Sequence, residues 1–532
     1  MKNSEGGSSL TGWSATDKDN AGFTSNRKHK EQKTPPGMVL IEGGTFTMGG
    51  VQDDVMFDWN TTPTKQQVRS FYMDETEVTN NEYMFYLEYM ERLYPPSELN
   101  YKDIYHSAIP DTLVWREVLG SNELLTENYL RHPAYSKYPV VGVSWLQANQ
   151  YCKWRTDIVN ERILIDKKLI RNSYEKISDS VVTDNNRRFD TQAYLSNPND
   201  YYRTDTISGE DKEGFLARKV NETTVPSVGV SNGILMPSFR LPTEAEWEFA
   251  AKSITGNRKW NNIEGRKKYS WNGKYTRIGG GKAKGDQLTN FKQGKGDYSG
   301  LAGWSNDGAD ITNAVKSYKP NAYGLYDMSG NVAEWVADVY RPIIDSNDSD
   351  FNYFRGNVFM KKSIGEDGIA VIVDDASVKF DTLDNGRLIP KALPGSVQYE
   401  PVSISDVYMR KNYDRANNIN YRDGDLQSTK HYRKDELDQK TRMYNSPVKD
   451  RQIGEGGLLI QNYDTKKRYT LVSDKSRVYK GGSWRDREYW LDPSQRRYLP
   501  EYMSTNYIGF RCSTDRLGPM KSAKTTKKKI TN

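Results

Sequence analysis

Asn321-Ala322-Tyr323-Gly324-Leu325-Tyr326-Asp327-Met328-Ser329-Gly330-Asn331-Val332-Ala333-Glu334-Trp335 is the stretch whose reading decides the fold, because it stands in a fixed series with seven others. Upstream lie Gly37-Met38-Val39 through Met48-Gly49, Met73 through Asn80, Pro139 through Trp145, Tyr151-Cys152, and Arg240 through Glu248. Downstream lie Lys480-Gly481-Gly482-Ser483-Trp484 and Gly509-Phe510-Arg511-Cys512. Met38 to Gly49 reads as two short strands joined at Gly43-Gly44, and Gln67 to Met73 as a third.

Three helix starts share one local signature. Thr79-Asn80-Asn81-Glu82, Ser144-Trp145-Leu146-Gln147 and Thr243-Glu244-Ala245-Glu246 are capping boxes, in which a hydroxyl takes the third amide and the Glu or Gln reaches back. They predict helices over about 80–93, 145–160 and 244–251. Trp145, Ala148, Cys152 and Ile158 share approximately one face of the second, which turns Cys152 toward the core.

The 532 residues are 36% hydrophobic, with mean hydropathy −0.85, so a modest core carries much polar loop. Tyrosine is heavily used (36 residues, beside 12 Trp), which suits either ring-packed irregular structure or a Tyr-rich surface. The net charge of +6 is small, and its basic excess sits at the ends, at Arg27 to Lys30 and Lys521 to Lys529. Such tails are ordinarily solvated, and nucleic acid is not an expected partner. No apolar run is long enough for a membrane-spanning helix. His29, His106, His132 and His431 form no metal-binding pair, so zinc or iron is poorly supported. Cys152 and Cys512 are either two inert buried thiols or one long-range disulfide.

Residues 1–35 read as a flexible leader and 516–532 as a basic tail. Residues 36–515 form a single domain with polar insertions at about 94–137, 158–238 and 343–476. Within the last, Ile369 to Val373 suits a strand.

Together the eight blocks resemble the formylglycine-generating enzyme (sulfatase-modifying factor) family, in the family's order and across residues 37–515. The resemblance implies an α+β fold of low regular-structure content, related to C-type-lectin-like folds. Enzymes of the family oxidise a substrate cysteine with copper held by two thiols that follow the Gly-Gly-Ser segment. Counted from Gly481-Gly482-Ser483, those positions are Asp486 and Leu491. Leu cannot ligate a metal and a lone carboxylate suits Cu(I) poorly, so the copper chemistry is expected to be absent.

The resemblance also places Cys152 and Cys512 on a structural disulfide of the family, which implies a non-reducing compartment. A loop of that length gives roughly 5 kcal/mol as an upper figure in the chain-entropy model. Structural calcium is implied twice: at Asp327, Gly330, Val332 and Glu334, the middle two through carbonyls, and at Asn290, Phe291, Asp307 and Ala309. The plain alternative is loop hydrogen bonding by those carboxylates.

Ser8 to Trp13, Ala21 to Phe23, Pro110 to Arg116, Arg131 to Tyr135 and Tyr151 to Asp157 resemble a branch of the family in particular, the gliding-motility lipoproteins. That branch implies a lipid-anchored protein on the periplasmic face of the outer membrane. Its partners would be other envelope proteins of gliding motility and type IX secretion. A lipoprotein carries an acylated cysteine at its mature start; none precedes Cys152, which places signal and anchor ahead of Met1. The expected role is therefore non-catalytic scaffolding. Two alternatives stand beside it: a ligand- or glycan-binding member of the fold, and an enzyme with a repurposed pocket around Arg485, Asp486, Arg487, Arg496 and Arg497.

Overall fold

The computed structural model describes residues 32–50, 60–117, 120–170, 188–196, 217–220, 223–226, 228, 233–254, 266–294, 300–301, 304–305, 307, 309–341, 355–356, 360–366, 368–383, 385–402, 446–453, 459–469 and 475–518. Residues 1–31 of the expected leader and 519–532 of the expected tail lie outside these residues, as do 171–187, 197–216 and 403–445 of the two longest insertions. All three predicted capping boxes close. Thr79, Ser144 and Thr243 each accept the third amide, and Glu82, Gln147 and Glu246 each accept the cap amide. They open helices α1 (Asn80–Leu93), α4 (Trp145–Asp166) and Glu244–Lys252. The second helix runs six residues past its predicted end, into what the polar composition assigned to an insertion.

Strands β1 (Met38–Ile41) and β2 (Gly44–Met48) flank the Gly pair as expected. The single third strand expected over Gln67 to Met73 is instead two, β3 (Thr64–Val68) and β4 (Phe71–Asp74). Among the described residues β2 pairs only with β3, whereas β1 pairs with β4. Both legs therefore leave one ladder and enter the other at the same level. A side chain at Gly43 would meet the Val68 carbonyl at 2.4 Å, and the Gly43 amide bonds Ser70 Oγ at 3.0 Å. That close crossing explains the break, which no local pattern announces.

The first four-stranded sheet has the order β1, β4, Ser513–Asp515, Phe239–Arg240, all antiparallel. The second has the order Arg497–Pro500, Ser476–Lys480, Ala333–Val339, Ile508–Gly509, with the last pair parallel. Their central strands are buried on both faces. Tyr72, Trp335 and Tyr479 point into one core, and Phe71, Met73, Val336 and Val478 into the other, as the period of two demands. The first core is packed with rings from α1 and α4: Tyr83 stacks on Tyr151 at 5.6 Å, and both meet Phe510 edge-on. Much of the tyrosine content is thus interior. The second core holds Trp247, fully buried, under the helix Glu244–Lys252.

The insertion at about 94–137 is helical, with α2 (Leu99–Ala108) and α3 (Glu123–Asn128). The C-terminal carbonyls of α2 are not left bare. Gln147 Nε2 donates to Ser107 O and Ile109 O, while Arg387 donates to the carbonyls of His106, Ser107 and Ile109. Arg387 belongs to the third insertion, so one guanidinium fastens two insertions to each other. The strand expected over Ile369 to Val373 is not formed. Only the isolated bridges Ile364 to Ala370 and Ile372 to Val397 occur there, because Gly365 and Gly368 turn the chain. No described helix is long and apolar enough to cross a membrane.

One fully buried carboxylate fixes the helix Glu244–Lys252 against the second sheet and the end of β2. Glu248 accepts from Gly49 N at 2.7 Å, Lys252 Nζ at 2.6 Å and Lys480 Nζ at 2.7 Å. Burial opposes its charge, yet Lys252 and Lys480 outweigh burial and hold its carboxyl down at about 2. Its folded value lies below its unfolded value, so its contribution is complete above about pH 4.5 and is lost as pH falls toward 2. Glu248→Gln is expected to lower stability at neutral pH by about 3–5 kcal/mol by leaving buried ammonium groups under-compensated. Its urea midpoint should also fall less steeply than the parent's below pH 4.5; equal midpoints at neutral pH would contradict the assignment.

Candidate functional site

Gly481 and Gly482 deliver the chain to the positions that the resemblance matches to the family's thiols. Both need a left-handed backbone, at φ +100° and +68°, and a side chain on Gly482 would meet the Trp490 carbonyl at 2.8 Å. Ser483 Oγ then donates to Asp486 Oδ2 at 2.6 Å. Arg497, from the adjacent strand, donates to both oxygens of Asp486, at 2.6 and 2.8 Å. The guanidinium lies 4.7 Å from the Tyr479 ring centre and 4.6 Å from that of Trp490. A planar cation forked to a carboxylate and flanked by two π faces is a rigid unit. Both of its charged side chains are 14% exposed, so the pair is neither a surface bridge nor sealed from water.

Leu491, the other matched position, is fully buried and packs with Tyr269 and Phe291, with Trp271 at the edge. The turn between the two positions is a 3-10 helix, Glu488–Leu491, and Glu488 accepts a hydrogen bond from Tyr269 Oη. Both matched positions are thus committed to packing. The five residues grouped by sequence do not form one arginine cluster. Arg496 is buried on Glu244, Arg485 binds Asn506 and Glu117, and Arg487 is exposed. Arg497 and the rings of Tyr479 and Trp490 complete the arrangement. Tyr479 and Trp490 escaped the sequence reading because no local motif marks them as partners of Asp486.

The first set of expected calcium positions surrounds a buried acidic group. Asp327 and Glu334 sit close enough to raise the proton affinity of Glu77, and Glu334 that of Asp327, with Arg511 the counter-charge. Burial first, then Asp327 and Glu334, pushes Glu77 well above the usual carboxylate range. Asp327 has a left-handed backbone (φ 57°) and accepts Lys316 N at 3.2 Å through Oδ2. Its Oδ1 is buried with no hydrogen-bond partner among the described residues, and burial pushes its carboxyl up to about 6. That orphaned oxygen and the excess negative charge fit a hard cation. Glu334 fits less well: Arg511 and Trp247 take its two oxygens at 2.7 Å. The Gly330 amide bonds Gly481 O, and the Val332 amide bonds Glu77 Oε1. No three His, Cys, Asp or Glu side chains among the described residues converge on a metal-sized point, so carbonyls would have to supply further ligands.

At the second set, the contacts are loop hydrogen bonds. Asp307 Oδ1 accepts Ala309 N at 3.1 Å, and Asn290 donates through Nδ2 to Ile311 O at 2.7 Å. The Asn290 carbonyl accepts Asn331 N, and the Phe291 ring packs with Leu491. Asn331 joins the two sets: its Nδ2 donates to Glu77 Oε2 at 2.8 Å and its Oδ1 accepts Asn313 N at 2.8 Å. Neither Glu77 nor Asn331 was singled out from sequence, although each lies in one of the eight blocks.

Cys152 is turned into the core, as the helix face predicts, and lies against Cys512, the partner that the resemblance implies, with both as thiols. Their sulfurs are 3.4 Å apart, where a disulfide needs about 2.05 Å. Burial pushes the Cys512 thiol well above its ordinary value, which makes it a poor nucleophile.

A family model described as the sulfatase-modifying factor enzyme 1-like domain matches residues 24–370. The chain is 23% identical over 326 residues to the formylglycine-generating enzyme of Streptomyces coelicolor, covering 58% of this chain and 70% of that protein. It is 36% identical over 104 residues to the inactive C-alpha-formylglycine-generating enzyme 2 of Mus musculus, covering 19% of this chain and 27% of that one. Among solved structures, PvdO from Pseudomonas aeruginosa overlays with a TM-score of 0.36 at 14% identity, over 90% of this chain and 94% of that one. The matched family contains both active enzymes and inactive homologues. On the eight ordered blocks, the geometry they adopt and the domain match, this chain belongs to the formylglycine-generating enzyme (sulfatase-modifying factor) family.

Proposed function

We propose that the chain is a non-catalytic scaffold of the cell envelope. It would be an outer-membrane lipoprotein on the periplasmic face, needed for gliding motility and type IX secretion. The protein it resembles in this reading is the gliding-motility lipoprotein GldJ, with its sister GldK as the second choice. The observation that carries the reading is the fate of the two thiol positions. Asp486 is forked to Arg497 between two rings, and Leu491 is core. A site committed in this way offers no soft ligand for Cu(I). The docked insertions add polar surface suited to partner proteins. Calcium at the Asp327 loop, and a second ion at the Asn290 loop, belong to the same proposal as structural cations.

Purified protein loaded with Cu(I) is expected to retain no stoichiometric copper and to leave a cysteine-containing sulfatase peptide unconverted. Copper-dependent conversion of that peptide would sink the non-catalytic reading. Pull-downs from a gliding bacterium are expected to recover other motility and secretion proteins of the envelope, and recovery of none would count against scaffolding. For the cysteines, protein from an oxidising compartment should show no alkylatable thiol by mass spectrometry, and two after reduction. Two free thiols in both preparations would remove the disulfide and its argument for a non-reducing compartment.

A further inference from the structure

Beside the Asp486 turn stands a basic hairpin that no part of the scaffold reading uses. Its arms are joined by Ile278 N to Asp286 O, Gly285 N to Ile278 O and Leu288 N to Thr276 O, at 2.7–2.9 Å. A side chain added at Gly279, Gly280 or Gly281 would meet nothing within 4 Å, so the tip stands clear of the body. From Lys268 to Lys292 the chain carries Lys268, Lys274, Arg277, Lys282, Lys284 and Lys292 against the single acid Asp286. Lys274, Arg277, Lys282 and Lys284 are exposed, and no lysine of the tip forms an ion pair among the described residues.

The root is stiff. Trp271 stacks on Tyr269 at 4.6 Å and donates through Nε1 to Tyr275 O at 3.0 Å. Arg277 donates to Gly285 O, and the Lys292 amide bonds Asp486 O at 2.9 Å. The Tyr275 side chain is 78% exposed, next to the exposed Lys274.

We propose that this hairpin is a docking finger for an anionic lipid surface. Lysine is a compact, mobile point charge suited to a diffuse field of headgroups, whereas reading a particular phosphate or carboxylate favours the arginine fork. Lysines near an anionic leaflet add their attractions, and an exposed tyrosine at the same level places an amphipathic ring in the interfacial zone. A partner read by its bases would instead call for arginines reaching base edges or several stacking rings, and among the described hairpin residues only the Tyr275 ring is strongly exposed; phosphate binding without base readout is the duplex-DNA arm of the test. The inference is independent of the scaffold reading, since a copper-active protein could carry the same finger.

The test is flotation of the full chain with phosphatidylcholine vesicles, with and without phosphatidylglycerol. Binding is expected only where phosphatidylglycerol is present and should fall with rising salt. Lys274→Glu, Lys282→Glu and Lys284→Glu together should lower it at least about tenfold. Tyr275→Ser should weaken it less and leave its salt dependence intact. The exposed control set Lys102→Glu, Lys319→Glu and Lys379→Glu should bind like the parent. Equal loss in the control set would reduce the effect to net charge and overturn the proposal. Binding to pure phosphatidylcholine, or to polyglutamate or duplex DNA but not to vesicles, would overturn it as well.

Discussion

The structure turns on one buried guanidinium. Arg511 is completely inaccessible, and all five of its N–H groups are used. Two reach Glu334, at 2.7 Å each, and the others reach the carbonyls of Asp74, Glu75 and Tyr326. Burying an ion pair costs several kcal/mol per charge, and only full hydrogen bonding makes it tolerable. Glu334 meets that condition with a third donor, Trp247 Nε1, at 2.7 Å. Glu334 lies in one four-stranded sheet and Arg511 runs directly into the other, while Trp247 anchors the helix above them. The register of the two sheets and the seat of that helix are therefore one constraint. It also explains the series of blocks, since Asp74, Trp247, Tyr326, Glu334 and Arg511 each sit in one of them.

What was legible in the sequence was whatever is written locally. A capping box is closed by residues three apart, so Thr79, Ser144 and Thr243 announced their helices without help. Cys152 faced the core because Trp145 and Ala148 share its face. Placement in the sheets was not legible. The switch at Arg69-Ser70 is set by the close passage of Gly43, which only the folded chain brings there. The end of α4 was misjudged because Asn160, Glu161 and Arg162 interrupt its apolar face, yet the helix continues through Ile163-Leu164-Ile165 and Leu164 is fully buried in a cluster with Ile170, Phe189 and Val397. A satellite core gathered from several insertions leaves no periodic trace. The same holds at the candidate site: Asp486 and Leu491 came from counting along a motif, whereas Tyr479 and Trp490 are found only in space.

On the non-catalytic reading proposed above, the matched thiol positions would be a case of a family fold giving up a metal site without losing the local structure. Replacing a soft ligand by Asp would strand a carboxylate in a half-buried place, at considerable cost. Arg497 removes that cost, because its fork satisfies both oxygens and its faces lie against Tyr479 and Trp490. The other position needs no such partner. Leu491 adds apolar volume beside Tyr269 and Phe291, where burial of a leucine contributes about 2–3 kcal/mol. The two substitutions differ in chemistry because their surroundings differ: one faces a strand carrying a cation, the other a pocket of rings. Each serves the packing of its own surroundings, and between them they brace the segment after Gly481-Gly482. A rigid wall at that place gives the neighbouring basic hairpin its footing, through the bond from the Lys292 amide to the Asp486 carbonyl. The loop from Gly481 to Leu491 thus acts as a foundation for the surface features beside it.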